Sequence, residues 1–366
     1  MRWSFTMGKI FGITFKIHVT FFLLLVFVYL GGATKGGPSQ GMMSALFVCA
    51  VFACVLIHEI GHSLIARKFG KEVRSITLLP IGGVATMEEM PEKPAQEIVM
   101  SIIGPIINLA IAGLLYLLFG RWSGISTPNL YASTGQQFMA GLIGVNIVLA
   151  IFNLIPAFPM DGGRVLRGIL GLRMDYVRAT SVAVSVGQGL AMLFILYGVF
   201  FNWWLALIGF FIYMGAGAEK QQVIVQSVLR GVTASDAMAT EIRALNSSDT
   251  LSAVVEHVHH GCQDDFPVVD GGRIQGVLTR NRLLAAIHEK GLNAKVSDAM
   301  ERDFVAVAPD TPLEDVYRKL ASLGRSAAAV LSGGQIRGMI CHESLAKHLA
   351  IRAALSGIRP ETATAE

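Results

Sequence analysis

The sequence predicts a polytopic α-helical membrane region over residues 1–220, followed by a soluble α/β region. Three observations predict it. Hydrophobic residues make up 53% of the 366 and charged residues only 15%, against about 25% charged in average globular chains. Six apolar runs, each near the ~20 residues needed to span a bilayer, fall in the first part. Beyond Gln226 the composition becomes ordinary and an internal repeat begins.

The runs cover residues 17–32, 42–66, 98–119, 138–155, 181–201 and 203–217. The first, followed by Gly31-Gly32-Ala33, reads as a retained span rather than a cleaved leader. Trp203 and Trp204 sit between the last two, where interfacial aromatics belong. The fourth ends in Asn153-Leu154-Ile155-Pro156-Ala157-Phe158-Pro159-Met160-Asp161-Gly162-Gly163-Arg164. Its two prolines break the helix, because proline lacks the amide hydrogen and clashes with the preceding turn.

Loop charges orient the spans. With the N-terminus inside, one side holds Arg2, Lys9, Lys16, Arg67, Lys68, Lys71, Arg74, Lys93, Arg164, Arg167, Arg173 and Arg178. The other holds Lys35 and Arg121. The positive-inside rule then predicts that both termini are cytoplasmic. The formal charge of +4 is largely this topology signal and does not indicate a nucleic-acid partner. Cys49, Cys54, Cys262 and Cys341 form no C-x-x-C pair and read as reduced thiols.

The second run carries His58-Glu59-Ile60-Gly61-His62, an H-E-x-x-H pattern. On a helix, positions i and i+4 share a face, so His58 and His62 can aim at one metal ion. Glu59 lies one helical step around, where it can deprotonate a water. Zinc lowers the pKa of bound water to about 7 and polarises a carbonyl, as peptide hydrolysis requires. Ionisable groups at membrane depth are costly, which favours a functional reading over a chance match. At 1.5 Å per residue, His62 and His58 lie roughly 8 and 14 Å from Arg67, hence within the membrane and nearer the cytosol. Two histidines leave a catalytic zinc one ligand short. Asp161, on a broken span at the same side, is the best candidate third ligand; the plainer reading is an interfacial aspartate paired with Arg164.

These residues resemble the site-2 protease family of intramembrane zinc metalloproteases. The resemblance rests on His58–His62, on the P-x-x-P-x-D-G-G stretch ending in Asp161-Gly162-Gly163, and on Gly104-Pro105-Ile106-Ile107-Asn108. It implies zinc ligands His58, His62 and Asp161 and a general base Glu59. It also implies that Asn153 and Asn108 position the oxyanion or substrate, although Asn in membrane bundles also serves helix–helix hydrogen bonding. The stretch Leu79-Pro80-Ile81-Gly82-Gly83-Val84-Ala85 resembles the family's re-entrant hairpin, whose backbone, with Gly82 and Gly83, could add a substrate strand.

In the soluble part, Ser235-Asp236-Ala237-Met238 recurs as Ser297-Asp298-Ala299-Met300, and Gly276-Val277-Leu278-Thr279 as Gly338-Met339-Ile340-Cys341. The units resemble two CBS domains pairing into one regulatory module. That implies an adenine nucleotide, with Thr279, Arg280 and Arg282 as contacts. The chain has Arg282 and Ser344 where the family often has a ribose-binding Asp, and Cys341 in place of the second Thr. A ligand-free dimerisation or gating module is the alternative.

The expected fold is therefore a polytopic α-helical membrane protein, with six transmembrane helices, a broken helix and a re-entrant hairpin, followed by an α/β tandem CBS domain. The expected divisions are 1–220 for the protease domain, 221–231 for a linker, 232–290 and 294–352 for the CBS units, and 353–366 for a tail. The expected activity is zinc-dependent endoproteolysis of membrane-spanning or membrane-associated proteins near the cytosolic face, gated by the CBS pair. Expected partners are the protein substrate, the lipid bilayer and a second copy joined through the CBS domains, with no nucleic acid. The resemblance implies a bacterial or archaeal plasma membrane. The alternative is a CBS-regulated transporter or channel, which has no need of His, Glu, His and Asp in ligand-like arrangement.

Overall fold

Phe11 and Gly12 both take positive φ, 52° and 78°, the geometry of a two-residue hairpin turn. They join β1 (Ser4–Ile10) to an antiparallel β2 (Ile13–His18). Neither strand is among the sequence expectations, though Ile13, Phe15 and Ile17 alternate with Thr14 and Lys16 at the strand period. This computed structural model describes residues 3–80, 82–87, 93–125, 134–260 and 263–355. Ile81 of the predicted hairpin, Cys262 and residues 356–366 of the tail lie outside them. Two compact units result, Met1–Gln221 and Gln222–Glu366.

In the first unit, His18 caps α1 (Val19–Lys68). This element holds the first two apolar runs in two arms, and the chain leaves helical geometry at Gly36 and Gly37. Gly37 has φ 78°, which disfavours any side chain. The arms fold back on each other, with Phe21 and Phe52 in edge contact at 4.7 Å. The chain then returns as β3 (Val73–Leu79), parallel to β2, and β4 (Gly82–Met87), antiparallel to β3. Strand order β1-β2-β3-β4 leaves β4 at an edge. Ile13, Phe15, Val73 and Ile76 pack against Ala66 of α1 and Met100 of the next helix.

Pro94 opens α2 (Pro94–Ser123), and the Thr134 side chain caps α3 (Gly135–Asn153). The chain is non-helical from Leu154 to Met160, then forms α4 (Asp161–Gly171). The break precedes Pro156, because a residue before proline is pushed out of the α region. Then come α5 (Tyr176–Phe201) and α6 (Trp203–Leu229). Among the described residues, α1, α2, α3 and α5 are long and apolar enough to cross a bilayer. Phe27, Leu117 and Phe200 stand exposed on them, as lipid-facing side chains do. Cys49, Cys54 and Cys341 are free thiols.

The second unit contains α7 (Ala234–Ala237), α8 (Leu251–His260), β5 (Phe266–Asp270), β6 (Arg273–Leu278), α9 (Arg280–Lys290), β7 (Val305–Val307), α10 (Leu313–Leu323), β8 (Ala327–Ser332), β9 (Gln335–Cys341) and α11 (His342–Leu355). Its two halves exchange their opening segments. Val232, Ala234 and Ala237 pack with Leu313, Ala328, Val330 and Ile340 of the second half. Val296 and Ala299 pack with Leu251, Phe266, Val268 and Leu278 of the first. Matching amide hydrogen bonds fix the exchange: Leu313 N to Val232 O at 2.8 Å, and Leu251 N to Ala294 O at 2.9 Å. Each half thus closes its core only with the other present.

Candidate metal centre

The second arm of α1 presents His58 and His62 one turn apart, both buried. His62 Nδ1 donates to the backbone carbonyl of Met100 at 2.6 Å, which leaves Nε2 as the lone-pair nitrogen. That nitrogen lies 3.0 Å from Nε2 of His58. Asp161 heads α4, and its Oδ2 lies 3.3 Å from His58 Nε2 and 3.2 Å from His62 Nε2. The three atoms make a nearly equilateral triangle.

The triangle fits zinc. Bonds of about 2.0–2.1 Å at tetrahedral angles place ligand atoms about 3.3 Å apart. Two imidazole nitrogens and a carboxylate oxygen, all electron-rich and turned toward one point, are satisfied by a cation. His58, His62 and Asp161 form such a ligand group among the described residues. Their donor set suits zinc, which takes imidazole and carboxylate together. Asp161 Oδ2 also has no hydrogen-bond partner.

Backbone shape makes the room. A methyl group at Gly104 of α2 would overlap Nε2 of His62 and lie 2.6 Å from Nε2 of His58. Gly104→Ala is expected to displace both rings and weaken zinc binding at least about tenfold. Zinc content after gel filtration checks this. Glu59, half-buried, lies under the edge strand: a methyl at Gly83 would sit 2.6 Å from its Cγ. Gly82 and Gly83 begin β4 and pair with Leu79 and Leu78. Gly83 of this edge strand therefore packs against the Glu59 side chain.

The structure brings His58, His62, Asp161, Glu59 and Gly83 together. Asn108 is buried on α2, one turn beyond Gly104 on the same face, and its Oδ1 has no hydrogen-bond partner. Asn153 is the half-buried last residue of α3, ahead of the break. In the second unit, the Thr279 side chain caps α9 by accepting from Arg282 N at 3.3 Å, and Arg280 pairs with Asp264 at 3.4 Å. Nearby, burial pushes the Asp265 carboxyl above its usual range.

Sequence reasoning missed the orienting carbonyl of Met100, the cradle role of Gly104 and a buried ion cluster. Arg167, counted above as a cytosolic loop cation, is fully buried on α4. It donates from Nε to Glu97 at 2.7 Å and from Nη1 to Glu219 at 2.8 Å. The signal was Glu97 and Glu219 flanking the apolar runs 98–119 and 203–217, where an unpaired carboxylate is costly.

Comparisons with known proteins show which family the chain is similar to. The profile of peptidase family M50 matches residues 46–140 and 123–196, and that of the CBS domain matches 234–289 and 296–351. Zinc metalloprotease MJ0392 of Methanocaldococcus jannaschii is 32% identical over 356 residues, covering 96% of this chain and 97% of that protein. Rip3 of Mycobacterium tuberculosis is 29% identical over 372 residues, covering 95% of this chain and 93% of its own length. The solved site-2 protease from Methanocaldococcus jannaschii is 33% identical, covers 60% of this chain and 95% of its own, and aligns with a TM-score of 0.44.

Proposed function

This chain belongs to peptidase family M50, the site-2 proteases, and from that membership we propose how its residues cut a peptide bond within the membrane. It is an intramembrane zinc metalloendopeptidase with a tandem CBS module. The near-equilateral triangle of His58, His62 and Asp161 carries the assignment of the ligands. When bound there, zinc supplies the Lewis acidity that polarises a carbonyl and acidifies a water.

The remaining chemistry belongs to side chains. Glu59 takes the proton of the attacking water and passes it to the leaving amine, since it stands beside His58 on the helix that carries both histidines. Met100 O holds the His62 ring in orientation through Nδ1. A substrate helix shields its amides by its own hydrogen bonds, so it must unwind first. The edge of β4 offers backbone groups to the unwound segment, and Gly83 permits close approach over Glu59. Asn108 and Asn153 would donate to the developing oxyanion or hold the substrate backbone.

Six spans follow if the two arms of α1 count separately and α6 is included. The loop charges support cytoplasmic termini, and β3–β4 serves as the re-entrant hairpin. The proposed protease domain is 1–220, with 221–231 as linker and 232–352 as regulatory module. That module would bind an adenine nucleotide near Thr279, Arg280 and Arg282 and pair two copies of the chain, setting access to the site.

Mapping new peptide termini in membranes of cells expressing the chain tests this reading. Termini are expected inside spans of substrate proteins, within about 8–14 Å of the cytosolic boundary. Termini confined to extramembrane loops would contradict it.

A further inference from the structure

Arg167 is completely buried, with its side chain 0% exposed. Glu97 is 1% exposed and Glu219 is 18% exposed. Two carboxylates from two other helices converge on one guanidinium. The guanidinium carbon also lies over two aromatic rings, 4.9 Å from the centre of Phe158 and 4.8 Å from that of Tyr176. Five segments therefore meet at this side chain: α2, the turn before α4, α4 itself, α5 and α6. Such a bridge is a weak source of net stability, because desolvating the charges offsets their attraction. Its product is geometry: Nε and Nη2 of the planar guanidinium both reach Oε1 of Glu97 while Nη1 reaches Glu219, so the direction of approach is set as well as the distance.

Two of the joined elements serve the metal triangle: α4 holds one ligand and α2 orients another. Asp161 begins α4, about 9 Å before Arg167 along the helix. Met100, whose carbonyl orients His62, lies one turn after Glu97 on α2. Phe158, whose ring lies under the guanidinium carbon, is three residues before Asp161. The two helices also approach closely at Gly168 of α4, where a methyl would lie 2.6 Å from Ile98 and 3.0 Å from Pro94 O. We infer that Arg167 is a positioning residue for the metal site: bridged to Glu97, it sets the register of α4 against α2 and thereby the place of the Asp161 oxygen beside the two imidazoles. The Glu219 bridge adds α6, the helix whose chain continues to the CBS repeats, so a shift of α6 acts on the same register. The inference rests on Asp161 being a zinc ligand.

The test uses the full-length chain in detergent, with zinc affinity measured by chelator competition and the site's geometry by the absorption spectrum of the cobalt(II) form. Removing Arg167 alone would strand two buried carboxylates. The main variant is therefore Arg167→Met with Glu97→Gln and Glu219→Gln, which removes the charges together. Its thermal midpoint is expected to stay near the parent's. Its zinc Kd is expected to rise at least about tenfold, with an altered cobalt spectrum. Arg167→Lys, a point charge without the fork, is expected to fall between. Parent-like Kd and spectrum in the triple variant overturn the inference; if that variant does not fold, the same result in Arg167→Lys does so. Asp161→Ala separates the premises: weakened zinc there with a parent-like triple variant defeats the positioning role alone. Unchanged zinc in Asp161→Ala defeats the ligand assignment as well.

Discussion

Glu59→Gln is expected to keep its zinc and lose peptide cleavage by about 10³-fold, within the 10²–10⁴ that general base catalysis supplies. Glutamine keeps the shape under Gly83 but cannot accept a proton. No ligand changes, because the triangle consists of His58, His62 and Asp161. A purified pair of proteins, parent and variant, with one membrane-spanning substrate reads both quantities at once. Equal zinc with lost cleavage places the defect in proton transfer. Full cleavage by the variant would sink the base assignment, and lost zinc would move Glu59 into the ligand set.

Asp161→Ala is expected to do the opposite and act first on metal. Removing a direct ligand should exceed the 10–100-fold loss typical of outer partners, so zinc Kd should rise by more than about 100-fold. Cleavage should fall in step, and excess zinc should restore part of it. Asp161→Asn, which keeps an oxygen donor without its charge, should retain more zinc than the alanine variant. Chelator competition on the three proteins checks the order. Equal affinity in all three would leave the two imidazoles as the whole protein ligand set.

Much of the membrane region was readable because its signals are local. Histidines four apart need only a helix to share a face, and the apolar run around His58 supplies one. The prolines at 156 and 159 announced the break that frees Asp161 to head α4. The paired Ser-Asp-Ala-Met segments announced the repeat. What stayed hidden depends on distant partners. Arg167 has the same composition signal as any cytosolic arginine, and only the arrival of Glu97 and Glu219 buries it. Gly104 reads as a helix-weakening residue until the histidine rings are seen against it. The fold-back of α1 at Gly36–Gly37 and the exchange of opening segments between the CBS halves follow from packing, which no single window of sequence contains. The β1–β2 hairpin was locally visible in its alternation, but the neighbouring apolar run obscured it.

Catalysis here turns on a zinc held by two histidines and one aspartate inside the membrane region. X-ray absorption at the zinc edge of the purified full-length protein reads that ligand set. The expected spectrum is four-coordinate, with imidazole nitrogens at about 2.0–2.1 Å, carboxylate oxygen at about 2.0–2.2 Å, and imidazole scattering halved in any zinc retained by His58→Ala. A sulfur shell at about 2.3 Å, or an octahedral shell of oxygens without imidazole, would contradict it.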